Sequence, residues 1–286
     1  MSTPRSLDLP GADGIRLHGL EWSREGVPLV FVHGFGHDAH VWDDFAPAVA
    51  PHYRTLALTL RGHGDSGRGP HGGHDPALLV RDLEQALDSL EIARLVLVGH
   101  SLGARVATQF GGRHPERLAG LVLVDFGPRL DARGVSRIRS EVAAQAATSA
   151  AGDLSFGSEA EYLRVLERNY PGVRGSLLAR LARHWLRQRA DGRFELKLDL
   201  RPADPAAAAR SIASAEAELW DALGRLPCPV LVVRGAASDV LSAETADEMV
   251  ERLQKGQLAV VPRAGHSVML DNPEGFGAAL ASFVLG

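Results

Sequence analysis

Leu95-Val96-Leu97-Val98-Gly99-His100-Ser101-Leu102-Gly103 joins an apolar run to the pattern G-x-S-x-G, and a helix-compatible stretch follows. A run this short and apolar at every position suits a strand buried on both faces, the habit of a parallel sheet covered by helices. Glycines on either side of a serine allow a turn that leaves no room for a Cβ. Ser101 is therefore expected to project from the end of the strand where the helix begins. A hydroxyl held there can become a nucleophile.

Working outward, the same texture recurs. Pro28 to Val32, Thr55 to Leu58, Leu121 to Val124 and Val230 to Val233 are short apolar runs and read as further strands. Ile15 to Leu20 alternates at period two and reads as an antiparallel edge strand. Asp75-Pro76 opens a helix to about Leu90, with Leu79, Leu83, Ala86, Leu87 and Leu90 on one face. Ala243 to Leu253 reads as helix, Gln257 to Val261 as strand, and a final helix starts near Pro273. Alternating strands and helices predict an α/β fold, a mostly parallel central sheet with helices on both faces. Between Gly127 and Arg225 the strand signals stop, and Ala, Arg and Leu at helical spacing take over. The expected organisation is a core of residues 1–126 and 226–286 and a helical cap at 127–225. Cap helices are predicted at Ser136 to Thr148, Glu159 to Asn169, Ser176 to Arg189 and Pro205 to Leu223, with an extended piece from Arg193 to Leu198.

Composition narrows the function. The chain has 286 residues, 45% of them hydrophobic, enough for a large core, and a formal charge of -4. Nucleic acid is not an expected partner, since phosphate neutralisation needs clustered Lys and Arg. No segment reads as a signal peptide or a membrane span, so the expected compartment is the cytoplasm and no membrane partner is predicted. A homodimer is compatible with the sequence. Cys228 is the lone cysteine, which leaves no internal disulfide, and it reads as a small buried thiol. Gly62-His63-Gly64-Asp65-Ser66-Gly67 imitates a dinucleotide fingerprint, but the Gly- and Pro-containing stretch Arg68 to Gly73 cannot be the helix such a site needs. His33, His37 and His40, or His71 and His74, lack a carboxylate or cysteine at metal-ligand spacing. No metal and no cofactor are expected.

A nucleophilic serine needs a base, and the base needs a group to fix its tautomer. His266 follows the last predicted strand, at the carboxyl edge of the sheet where Ser101 also emerges. Asp239 lies just past the strand Val230 to Val233, and Asp125 ends the strand Leu121 to Val124. Asp239 is preferred because the strand before the histidine's should bring it beside the imidazole, giving the chain order Ser, Asp, His. The oxyanion is expected to meet two backbone amides. One is that of Leu102, at the positive end of a helix, and the other that of Phe35, in the glycine loop His33 to Gly36.

Together, His33-Gly34-Phe35-Gly36, Leu60 to Ser66, Gly99 to Gly103, Arg234-Gly235 with Asp239, and Gly265-His266 resemble the α/β-hydrolase superfamily. The resemblance implies a lid inserted after the sixth strand and a triad of Ser101, Asp239 and His266. Serine at 101 disfavours the aspartate-nucleophile epoxide hydrolases and dehalogenases. Ser267-Val268-Met269 after the histidine weakens similarity to carbon-carbon bond hydrolases, where tryptophan is frequent. Carboxylesterases and enol-lactonases look most similar, so the expected substrate is a small-molecule ester or lactone. The alternatives are a carbon-carbon hydrolase of vinylogous diketones and a slow-turnover ligand-binding receptor.

Overall fold

Side chains that alternate along the apolar strands divide into two layers, one on each face of a single sheet. Leu29, Phe31, Val96, Val98, Val122, Val124, Leu231 and Val233 pack on one side with Trp42 and Phe276. Val30, Val32, Leu95, Leu97, Leu121, Leu123, Val230 and Val232 pack on the other with Val106 and Phe110. Both faces are dry, so each strand is apolar throughout.

The computed structural model describes residues 3–69, 74–138, 140, 155–201 and 215–286. In chain order its strands are β1 (Arg5–Pro10), β2 (Arg16–Glu21), β3 (Val27–Val32), β4 (Tyr53–Leu58), β5 (Leu95–His100), β6 (Leu118–Val124), β7 (Ser155–Phe156), β8 (Leu186–Gln188), β9 (Phe194–Leu196), β10 (Val230–Gly235) and β11 (Gly256–Val261). Besides shorter helical turns, the helices are α1 (Pro76–Ser89), α2 (Leu102–Arg113), α3 (Glu159–Asn169), α4 (Gly175–Trp185), α5 (Ala215–Gly224), α6 (Ala243–Arg252) and α7 (Pro273–Leu285).

The main sheet has the order β1-β2-β4-β3-β5-β6-β10-β11. Its strands run parallel from β4 to β11, and β2 pairs antiparallel with both of its neighbours, β4 and β1. The α/β expectation is met, with one difference at the margin. The strand read at Ile15 to Leu20 lies one place in from the edge, which β1 occupies. The order reverses at β3, between β4 and β5, and a crevice opens there beyond the carboxyl ends of the strands. The loops after β3 and β5 carry Phe35 and Ser101.

Between β6 and β10 the described residues hold α3, α4, α5 and a small antiparallel sheet of order β7-β9-β8. The helix predicted to Arg189 stops at Trp185, where the chain extends into β8. The helices predicted at 136–148 and 205–223 lie partly outside the described residues. Leu219, Trp220 and Leu223 of α5 join the core cluster that contains Val106 and Phe110 of α2, so this helix covers the main sheet. The inserted segment is tied down at both ends: the Gly134 amide donates to the Asp239 carbonyl, and the Asp199 amide donates to Gly62. Among the described residues no helix is long and apolar enough to cross a membrane.

Candidate active site

Ser101 sits between β5 and α2 with φ 51° and ψ −114°, a left-handed backbone that a non-glycine residue adopts only when its surroundings enforce it. The flanking glycines supply that enforcement. A Cβ on Gly99 would lie 2.6 Å from the Ala104 nitrogen, and one on Gly103 would lie 2.7 Å from the His33 carbonyl oxygen. Helix α2 thus packs against the end of β3 at backbone distance, and the serine is lifted out of the sheet.

His266 lies beyond β11, and its Nε2 is 2.9 Å from Ser101 Oγ. Its Nδ1 is 2.8 Å from Asp125 Oδ2. An ionised carboxylate only accepts, so Nδ1 carries the proton and Nε2 is left to accept from the serine hydroxyl. Asp125, at the end of β6, is fully buried. Gly235 N donates to its Oδ1 at 3.0 Å, and Ser238 Oγ donates to its Oδ2 at 2.6 Å. With His266, three donors replace the water this carboxylate has lost.

Asp239, expected to orient the imidazole, does not do so. Its two oxygens accept from Arg137 Nε at 2.7 Å and Nη2 at 2.8 Å, and this arginine holds its carboxyl below the usual range. The reason is the phase of the turn after β10. Ser238 points inward, donating to Asp125 and accepting from the amides of Val240 and Leu241, and the next side chain therefore points away. The acid beside the histidine comes from β6, the neighbour of the serine's own strand.

Histidines that the sequence reading left aside brace this arrangement. His100 Nε2 donates to the His266 carbonyl at 3.0 Å and so fixes the loop that carries the base. His37 is sandwiched between His100, with planes 13° apart, and Trp185, with planes 11° apart. Burial pushes His37 down to about 3 and His100 well below the ordinary histidine value, so both are neutral. His100 was visible as the middle residue before the serine in G-x-S-x-G. His37 and Ser238 carried no local signal, because their roles depend on distant partners.

Phe35 and Ser101 line a cavity of about 360 Å³. Leu102 opens α2, where a first-turn amide has no carbonyl one turn back to pair with. Gly34 lets the loop approach, since a Cβ there would lie 2.5 Å from His100 Nδ1. The far wall comes from the inserted segment, with Tyr162, Leu166, Tyr170 and Trp185, and the rim holds Arg137, Asn169 and Asp239. Trp220 belongs to the core instead, its ring lying 4.3 Å below the Arg252 guanidinium. The hydroxyl, imidazole and buried carboxylate in series can move a proton off Ser101 as it attacks an electrophile in the cavity.

A model of the alpha/beta hydrolase family matches residues 29–279. The chain is 26% identical over 261 residues to 2-(acetamidomethylene)succinate hydrolase of Mesorhizobium japonicum, covering 91% of this chain and 88% of that protein. It is 28% identical to an esterase of Mycobacterium tuberculosis over 260 residues, 90% of this chain and 82% of the other. Its fold matches the crystal structure of an alpha/beta hydrolase from Novosphingobium aromaticivorans with a TM-score of 0.82 at 28% identity, over 99% of this chain and 98% of that one. The chain belongs to the alpha/beta hydrolase family.

Proposed function

We propose that this protein hydrolyses small-molecule carboxylic esters or lactones through an acyl-enzyme on Ser101. The observation that carries the proposal is the unbroken series from Ser101 Oγ through His266 to Asp125, with links of 2.9 and 2.8 Å. The esterase and hydrolase among its relatives agree with it. A cavity of about 360 Å³ suits a small ligand.

Ser101 Oγ attacks the carbonyl carbon while its proton passes to His266 Nε2. The carbonyl electron pair moves onto oxygen, where the amides of Leu102 and Phe35 would receive it. Collapse expels the alkoxide, which takes the proton from Nε2 and leaves as the alcohol, or stays tethered when the substrate is a lactone. Water then gives a proton to Nε2 and adds to the acyl carbon. The second collapse returns that proton to Ser101 and frees the acid. Asp125 holds Nδ1 and stabilises the imidazolium.

A carbon-carbon hydrolase acting on an acidic diketone would need a cation to hold the substrate's carboxylate. Among the described residues the arginine lining the cavity is Arg137, and Asp239 already engages it through two hydrogen bonds. This favours the ester reading. Mixing the protein with p-nitrophenyl acetate should give a burst of nitrophenolate and an acetyl mass increment on the peptide containing Ser101. Ser101→Ala should abolish both and lower kcat by roughly 10⁴-fold or more. Turnover surviving that change would refute the mechanism.

A further inference from the structure

Away from the cavity, at the joint between the core and helix α4, His40, Asp43 and His184 bring three donor atoms within 4.8 Å of one another. We propose that these residues form a site for a borderline divalent transition metal of the Zn²⁺ class, ligated by two imidazoles and one carboxylate.

The chain builds this cluster from two separate units. His40 and Asp43 lie three residues apart around the helical turn Ala39–Trp42, on the core side. His184 is the penultimate residue of α4, in the inserted segment. The sequence expectation of no metal weighed His40 only with His33 and His37; Asp43 lies three residues on, and folding brings His184 from 144 residues downstream. Neutral imidazole and carboxylate are the nitrogen and oxygen donors that Zn²⁺ takes, and three protein ligands leave a position for water.

Local chemistry suits a cation. Asp43 Oδ2 lies 3.1 Å from His40 Nδ1, while its Oδ1 is buried with no hydrogen-bond partner. A carboxylate oxygen without a partner is costly to bury, and a metal ion would satisfy it. Of the nearby positive charge, Arg180 is held by both oxygens of Asp44 at 2.8 Å with its Nε 3.9 Å from Asp43 Oδ2, and Lys197 is held by Asp65 at 2.8 Å. The His40 and His184 rings stack with centroids 3.4 Å apart and planes 16° apart. A metal must lie near the plane of each ring, so binding requires both imidazoles to turn and splay open. The ion would then tie α4 to the core one residue from Trp185, which walls the cavity.

This site is independent of the chemistry assigned to Ser101, and binding can be read without a substrate. The full chain, stripped with chelator, should take up one Zn²⁺ by titration calorimetry. Co²⁺ should give visible absorption bands of nitrogen and oxygen ligation. Binding should release protons and raise the thermal midpoint with metal concentration. Both His184→Ala and Asp43→Asn should weaken uptake at least about tenfold and remove the thermal shift. His184→Gln, which keeps a planar side chain in the stack, provides the same test should the alanine variant fail to fold. His266→Ala should retain one equivalent. Uptake unchanged in the first two variants, uptake lost instead with His266→Ala, or no saturable uptake by the parent protein would each overturn the proposal.

Discussion

Which carboxylate faces an imidazole is decided by the phase of a single turn, and the choice between Asp125 and Asp239 can be tested by matched substitutions. Asparagine in place of Asp125 keeps the shape but removes the charge, and its amide can donate to Nδ1. The histidine would then carry its proton on Nε2, facing the serine, in the wrong tautomer to act as base. Asp125→Asn should lower kcat by roughly 10³- to 10⁴-fold with little change in KM. Asp239→Asn breaks an ion pair whose partners are 41% and 32% exposed, and such pairs contribute about 1 kcal/mol at most, so kcat should stay within about fivefold. Steady-state rates on one chromogenic ester measure both, and a crippled Asp239→Asn beside a healthy Asp125→Asn would reverse the assignment. Ser101 and His266 were legible because strand ends and glycines mark them locally. The acid was not, because Asp125 and Asp239 both follow an apolar run. Only the inward turn of Ser238 and the left-handed backbone of Asp125, with φ 50°, distinguish them.

At the scale of elements, the joint between β5 and α2 depends on absent side chains. In Gly103→Ala the new Cβ would run into the carbonyl oxygens of Val32 and His33, which belong to the end of β3 and cannot rotate away. Overpacking against backbone should cost at least about 3 kcal/mol, read as a lowered urea midpoint together with lost turnover. The inserted segment, by contrast, is held at its first turn by modest contacts: the Arg137–Asp239 pair and the amide of Gly134 on the Asp239 carbonyl. Arg137→Ala should therefore leave the folded core unchanged and raise KM a few-fold, with kcat nearly constant, because the reacting groups all lie on the core side. A fall in kcat alone would place Arg137 in the chemistry instead. The same contrast explains what could be read in advance. Strands β3, β5, β6 and β10 are apolar on both faces, so their composition declares them. Strands β7 to β9 are two or three residues long and exist only through their mutual pairing, which no local pattern announces. Helix α5 was legible as a helix, but its apolar positions fit a lid as well as they fit the face of the sheet.

Across the whole molecule, an unusual number of histidines is buried in neutral form, and this should govern stability in mild acid. His33, His37, His63 and His100 are all buried, and loss of solvation lowers each of them, His33 to about 4, His37 to about 3 and the other two well below the ordinary value. Geometry gives the same answer at His33, whose Nε2 accepts the Leu60 amide at 3.0 Å and cannot take a proton without losing that bond. Below the unfolded value near 6.5 the unfolded chain binds protons that the native state refuses, so native stability falls as pH falls. Each such group costs about 1 kcal/mol between pH 6.5 and 5.5. Groups raised in the folded state oppose the trend, Asp38 and His40 among them. Asp38, raised to about 6 by burial, takes up a proton more readily when folded, as does His40, raised against its desolvation by Asp43 and Asp38. His18, His74 and His184 are lowered by burial as well, so the histidines dominate and native stability falls over this interval. Urea unfolding followed by circular dichroism at pH 7.5, 6.5 and 5.5 should show the midpoint falling modestly over the first interval and more steeply over the second. A midpoint that holds or rises at pH 5.5 would mean that these imidazoles are hydrated or charged in the native protein, and that the stack of His37 on His100 behind the base is not the dry brace described above.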